Sequence, residues 1–267
     1  MFSYTSQLPL IRSCCFLAFL LIDCVNRFLH QKRGDCRDSL YFTNLIFPDI
    51  ANLELETVRI AALEADGIEI RRERLVPEET YFRRVKKKLQ ECRLTPVIYS
   101  IPADLWENGN LNQSLRPMPR KPCARADWIK LGLGQHPTEN PADCIAQVKE
   151  LLKNLPCRLL IENSQQKLTG GTAKSFASFF ASLPHEKLAM TFDTGNWQTV
   201  GESADKAYAL LRPYVAYMHL KGVKLVRGHW ESQSIQPDDP WLLQCRHHEM
   251  AAIEFPLQKP DIEGKTG

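Results

Sequence analysis

The sequence predicts an α/β protein of the (β/α)8 barrel class. Short apolar, β-branched or aromatic runs alternate with amphipathic helical segments eight times between Ser39 and Glu254, the pattern of parallel strands joined by helices. Four of the later runs end directly in a group that can bind a metal: Glu162, Asp193, His219 and Glu254. Neither GxGxxG nor a P-loop follows any run, which counts against an open nucleotide-binding sheet, the alternative arrangement of the same elements.

The elements follow in order. Residues 39–47 read as the first strand, rich in aromatic and branched side chains. Leu53 to Ala65 is the first helix, with Val58, Ala61, Ala62 and Ala65 on one face and Gly67 as its C-terminal glycine. Ile68 to Arg71 is the second strand, and Pro77-Glu78 open a helix carrying Phe82, Val85 and Leu89. Pro96 to Ile101 is the third strand, stopped by Pro102. The third helix is irregular, because Pro117, Pro119 and Pro122 allow only a short helix near Leu111 to Leu115. Trp128 to Leu133 is the fourth strand, and Asn140 to Asn154 is an amphipathic helix. Arg158 to Ile161 runs into Glu162, and Thr172 to Leu183 is helical. Ala189 to Phe192 runs into Asp193, and Val215 to Met218 into His219, with a helix bearing Ala204, Ala207, Tyr208 and Leu211 between them. A polar loop spans Lys224 to Asp239, then a short helix Trp241 to His248 and an eighth strand, Ala251 to Ile253, ending at Glu254. Few residues follow, so the last outer helix is expected to be missing or replaced. The expected organisation is an N-terminal appendage, helical or disordered, at 1–38, a barrel domain at 39–257 and a tail at 258–267.

Composition narrows the function. The chain has 267 residues, 44% hydrophobic and 24% charged, enough for one domain with a full core. A formal net charge of +3 is too small to suggest a nucleic-acid partner. The dense basic run Arg83 to Lys88 fits a solvated helix face. Nine cysteines form no CxxC pair, which suits reduced thiols in the cytoplasm. The apolar run Cys14 to Val25, broken by Asp23, is too short for a confident membrane span. A membrane partner is therefore not expected, and a homo-oligomer is left open.

The four strand ends define the candidate site. In a parallel barrel all strand C-termini open into one mouth, where active sites of this class lie. Three carboxylates and an imidazole suit Mn²⁺, Mg²⁺, Co²⁺ or Zn²⁺. Further candidates for substrate contact are Glu69 and Arg71 at the second strand end, Lys130 in the fourth strand, Lys221 beside His219, His229 on the polar loop, and the aromatic Trp106 and Trp230. Asn163, Gln165 and Gln166 follow Glu162 and are candidates to bind hydroxyls. An inward lysine at 130 needs a partner, and outward exposure is its alternative.

The segments ENSQQ, FDTGNW, HLKG and IEFPL, in this order, resemble the xylose isomerase-like superfamily of TIM barrels, most closely its sugar phosphate isomerase/epimerase branch. The resemblance implies that Glu162, Asp193, His219 and Glu254 are metal ligands, and that Glu162 and Glu254 exchange protons with a sugar substrate. It sets Asn196, a further substrate contact, where many relatives carry a histidine. The implied chemistry is isomerisation or epimerisation through an enediolate, with a divalent metal as Lewis acid. A lyase or dehydratase on the same metal site is a second reading. A catalytically inactive barrel that serves as a binding protein is a third.

Overall fold

The computed structural model describes residues 39–47, 52–76, 78–95, 97–115, 126–135, 141–166, 171–236 and 238–257 of the chain. The expected N-terminal appendage, the Pro117 to Pro122 stretch and the tail from residue 258 lie outside them. The elements that build the barrel are β1 (Ser39–Thr43), α1 (Leu53–Ala61), β2 (Gly67–Arg71), α2 (Glu79–Glu91), β3 (Val97–Glu107), β4 (Asn110–Leu111), β5 (Trp128–Gly134), α3 (Pro141–Asn154), β6 (Arg158–Glu162), α4 (Ala173–Ser182) and β7 (Leu188–Asp193). They continue with α5 (Asn196–Thr199), α6 (Ala204–Leu211), β8 (Val215–Leu220), β9 (Gly222–Val226), β10 (His229–Gln233), α7 (Trp241–Gln244) and β11 (Met250–Ile253).

Strands β1, β2, β3, β5, β6, β7, β8 and β11 pair in parallel around a ring, and β11 pairs with β1 to close it. The predicted (β/α)8 barrel is therefore the observed fold. Successive strand side chains face opposite ways. One parity fills the barrel with Tyr41, Ile98, Trp128, Leu160, Ala189, Tyr217, Met250 and Ala252. The other parity packs outward on the helices, where Phe176, Phe179, Phe192 and Trp197 join the larger core. That alternation points Glu162 the same way as Leu160, His219 the same way as Tyr217, and Glu254 the same way as Ala252. Helix starts are set by local chemistry: Asn52 Oδ1 accepts from the N–H of Glu54 and Leu55, and Thr172 Oγ1 accepts from Ser175 N–H. Among the described residues, Cys92, Cys144, Cys157 and Cys245 form no disulfide. No helix among the described residues is long and apolar enough to cross a membrane.

Four expectations need correction. Helix α1 ends at Ala61 rather than Ala65, and Glu64, at φ 60°, rather than Gly67, makes the left-handed turn. Gly67 belongs to β2, where it pairs with Tyr41. Pro102 does not stop the third strand: it sits in the interval between Ser100 and Asp104 where the β3–β5 register shifts, the irregular position at which a residue without N–H is tolerated. Strand β3 then rises above the barrel and returns as β4 through Asn108 and Gly109, at φ 51° and 74°, so Leu111 is strand and only Gln113–Leu115 forms a 3-10 turn. The polar stretch after His219 is no open loop but the antiparallel hairpin β9–β10, turned at Arg227 and Gly228 with φ 49° and 85°.

The rise of β3 depends on glycine in β5. A Cβ on Gly134, whose φ is +73°, would stand 2.1 Å from the Trp106 carbonyl oxygen, and one on Gly132 would stand 2.1 Å from Asp104 Oδ1. Gly134→Ala is expected to destabilise the protein by about 1–3 kcal/mol through strain and displaced backbone. Urea denaturation checks this, and an unchanged midpoint would remove the steric argument.

Candidate metal centre

At the mouth of the barrel Glu162, Asp193, His219 and Glu254 each offer one donor atom, and these atoms lie within 4.8 Å of one another. The donors come from β6, β7, β8 and the residue after β11, four neighbours around the ring. His219 Nδ1 is 2.8 Å from Glu162 Oε1, 3.1 Å from Glu254 Oε2 and 3.8 Å from Asp193 Oδ2. Asp193 and His219 are fully buried, and Glu254 is 8% exposed.

The residues beneath the mouth orient these donors. His219 Nε2 lies 2.8 Å from Glu69 Oε2, which also accepts from Tyr217 OH at 3.0 Å. In the neutral ring the Glu69 carboxylate makes Nε2 the N–H donor and leaves the Nδ1 lone pair toward the mouth; in the protonated ring an Nδ1 proton faces Glu162 and Glu254. Asn163 and Asp193 lock each other: Asn163 Nδ2 donates to the Asp193 carbonyl, and Asp193 N–H donates to Asn163 Oδ1, at 3.0 and 2.8 Å. Asp193 Oδ1 accepts from Gly195 and Asn196 N–H, both at 2.9 Å, so Oδ2 is the oxygen that faces the cluster. Thr194 Oγ1 donates to the carbonyls of His219 and Lys221, tying the end of β7 to the end of β8.

Two buried lysines flank the acids. Lys130 Nζ is 2.8 Å from Glu69 Oε1 and 2.7 Å from Glu162 Oε2. Lys221 Nζ is 2.6 Å from Asp193 Oδ2 and 2.9 Å from Glu254 Oε2. Burial alone would raise every carboxyl here. For Glu69 it is outweighed by Lys130 and His219, which hold the group at about 2. Glu162 is likewise lowered by Lys130 and His219, and Glu254 falls well below the usual range against Lys221 and His219. For Asp193 burial wins over the attraction of Lys221, and the group is pushed up to about 7. His219 is raised well above an ordinary imidazole, since Glu254, Glu69 and Glu162 overcome its burial and the repulsion of Lys130.

These shifts and the donor set fit a divalent cation. Four carboxylates, those of Glu69, Glu162, Asp193 and Glu254, face the ammonium groups of Lys130 and Lys221, a surplus of two negative charges while His219 is neutral. A proton on His219 and a partly held proton on Asp193 offset that surplus in the protein alone, and a divalent ion would do the same. The buried His219 Nδ1 and Asp193 Oδ2 make no aligned hydrogen bond, as expected of atoms directed at a cation. Three oxygens and one imidazole nitrogen suit the first-row divalent ions and Mg²⁺.

Binding there must displace protons. With Asp193 near 7, His219 raised well above an ordinary imidazole, and Glu162, Glu254 and Lys221 facing them, apparent Mn²⁺ affinity is expected to fall about a hundredfold per pH unit below that value, where both protons are displaced, and about tenfold per unit just above it, where only that of His219 is. The sign agrees with stability linkage. A carboxyl raised in the folded state contributes stability at low pH and loses it as pH rises through about 7, so Mn²⁺ should raise Tm more at pH 8 than at pH 6. Calorimetric titration in buffers of different ionisation enthalpy reads the released protons; pH-independent affinity would rule out displacement.

Above the cluster lies a cavity of about 970 Å³, lined among others by Arg71, Ser100, Asp104, Lys130, Asn196 and Glu231. Of the expected substrate contacts, Arg71, Lys130, Asn196 and Lys221 reach its wall. Glu69 does not: it is fully buried beneath the donor cluster, because its strand parity turns it into the barrel toward Lys130 and His219. Trp106 is 2% exposed and packs edge-on against Phe179, since β3 continues past Pro102 and turns that side chain into the outer core. His229 is exposed on β10 and lies off the cavity wall, which takes Glu231 and Ser232 from the same strand. Trp230 is 38% exposed opposite Leu225. Asn163, expected to bind hydroxyls, has both amide atoms committed to Asp193. Asp104, Ser100 and Glu231 escaped the sequence reading; the only signal for Asp104 was a carboxylate two residues after the strand-end proline.

No family model matches the chain, and a search of curated proteins finds no match. Solved structures do match. A xylose isomerase domain-containing protein from Salmonella typhimurium superposes with a TM-score of 0.62 at 15% identity, over 82% of this chain and 89% of that one. A 3-keto-D-glucoside 4-epimerase from E. coli gives 0.57 at 13%, over 84% and 94%. The probable 3-DHS dehydratase from Bacillus anthracis gives 0.57 at 13%, over 81% and 92%. The chain shares the (β/α)8 barrel fold of these proteins.

Proposed function

We propose that the chain is a divalent-metal-dependent isomerase or epimerase of a sugar or sugar derivative, with Glu162 and Glu254 as its acid/base pair. The observation that carries this reading is the gathering of Glu162, Asp193, His219 and Glu254 around one point under a polar cavity. Sugar epimerases on the same fold support it.

Glu162, Asp193, His219 and Glu254 would hold the ion, which when bound polarises a substrate carbonyl as a Lewis acid. Removing a proton from the adjacent carbon needs an ionised base within reach. Glu162 and Glu254 are both held ionised, both line the cavity, and β7 and β8 stand between their strands, so they approach a bound molecule from different sides. Lys130 steadies Glu162 and Lys221 steadies Glu254. Proton return to the same carbon from the opposite side gives an epimer, and return to the neighbouring carbon exchanges aldose and ketose. The dehydratase reading rests on Lys221, an ammonium on the cavity wall 2.9 Å from Glu254, which would protonate a departing hydroxyl.

The test is deuterium uptake from D₂O into a panel of ketoses by Mn²⁺-loaded protein. Exchange at a carbon beside the carbonyl is expected. Exchange accompanied by an unsaturated product would favour the dehydratase. No exchange with any ketose, in a protein that binds Mn²⁺, would leave the inactive binding barrel.

A further inference from the structure

Resting on that reading, we infer that Asp104 is a specificity-determining residue: with Asn196 it accepts hydrogen bonds from substrate hydroxyls, and it restricts the cavity to neutral polyols, excluding phosphorylated or carboxylated ones.

Asp104 is carried over the mouth by the extended β3, and its carboxylate lies across Gly132, itself on the cavity wall. Among the described residues its side chain has neither a hydrogen-bond partner nor a cation beside it. Asn196 is 5% exposed, lines the same cavity, and has its Nδ2 committed to the Asn163 carbonyl at 2.7 Å. Its Oδ1 is buried without a partner. A buried acceptor without a donor is costly, so Asn196 Oδ1 calls for a ligand that brings donors, and the half-buried Asp104 carboxylate, an acceptor only, favours the same ligand. Hydroxyls are donors. A phosphate dianion or a carboxylate brings acceptors and negative charge.

The cations that line the cavity are already engaged. Lys130 holds Glu69 and Glu162, Lys221 holds Asp193 and Glu254, and Arg71 pairs with Glu73 at 2.5 Å and lies 4.0 Å from Glu254. Barrels that bind phosphate commonly do so with the loops after the seventh and eighth barrel strands. Here those segments follow β8 and β11, and besides Lys221 they bring Glu231, Ser232, Glu254, Phe255 and Pro256 to the wall. Lys224, in the same hairpin, is 3.9 Å from Glu231. An anionic substituent would therefore meet Asp104 and Glu231 with no unpaired cation among the described residues of the wall.

The experiment is equilibrium binding to Mn²⁺-loaded and metal-free protein, by calorimetry, of a free ketohexose, its 6-phosphate ester and a keto-sugar acid. The free ketose is expected to bind at least about tenfold more tightly than either anion. Asp104→Asn, which keeps the shape, should narrow that gap severalfold, and Asp104→Lys should close or invert it. Equal or tighter binding of an anion to the unaltered protein would overturn the inference, as would an unchanged gap in both variants or binding of none of the three. Tight binding of the free ketose without deuterium exchange would instead overturn the isomerase reading and leave the inference on ligand class standing.

Discussion

Replacing Glu162 or Glu254 by glutamine is expected to slow deuterium exchange by about 10²–10⁴-fold while leaving the folded state intact. Glutamine keeps the shape of each side chain and removes the atom that takes the proton. The fold is expected to survive because each replacement reduces a charge surplus. Without Glu162, Lys130 keeps Glu69; without Glu254, Lys221 keeps Asp193. The metal-free Tm should therefore hold or rise, while Mn²⁺ affinity falls through loss of one anionic donor. Measuring exchange at saturating Mn²⁺ separates weakened metal binding from lost proton transfer. Full exchange in both glutamine variants would end their assignment as acid and base.

Lys130→Met is expected to act in the opposite direction, costing about 3 kcal/mol or more because it strands the buried Glu69 carboxylate and the half-buried Glu162. Lys130 is 1% exposed between Glu69 and Glu162, themselves close to His219 and Glu254. Removing the ammonium turns an unbalanced site into a strongly repulsive one. In a domain of this size such a loss lowers Tm by roughly 10 °C. Adding Glu69→Gln should restore part of it, because the two side chains share one interaction. The acid limb offers a second reading. Glu69 is held at about 2, below the ordinary glutamate value, so its contribution is complete above that ordinary value and is lost as pH falls toward 2. Lys130→Met should flatten this part of the stability curve. A wild-type-like Tm would mean that the pair contributes little.

The barrel and its four converging donors were legible because both depend on local rules. Apolar runs of strand length mark the strands, and period-two alternation decides that Glu162, His219 and Glu254 face the way Leu160, Tyr217 and Ala252 do. The partners across the barrel were not legible. Lys130 reads as an odd lysine in a strand and Glu69 as a strand-end acid; that they meet at 2.8 Å follows from closure of the ring, with β3 between their strands. Trp106 was misjudged for one reason, Pro102. A proline usually ends a strand, and here a register shift absorbs it, which also hid Asp104. The hairpin read as a loop because its outer strand is exposed throughout and its turn begins at arginine rather than asparagine.

The donors of the cluster occupy one unbroken arc of the ring, β6 to β11, while Arg71 and Asp104 stand on the opposite arc, at the end of β2 and on β3. On the proposed reading, the proton-transfer groups share one half of the cylinder with Asn196, and the remaining recognition groups stand in the other. Grafting the first three βα units of another barrel onto this one would exchange Arg71 and Asp104 and leave the four donors in place, provided a carboxylate is kept at position 69 to hold His219 and Lys130.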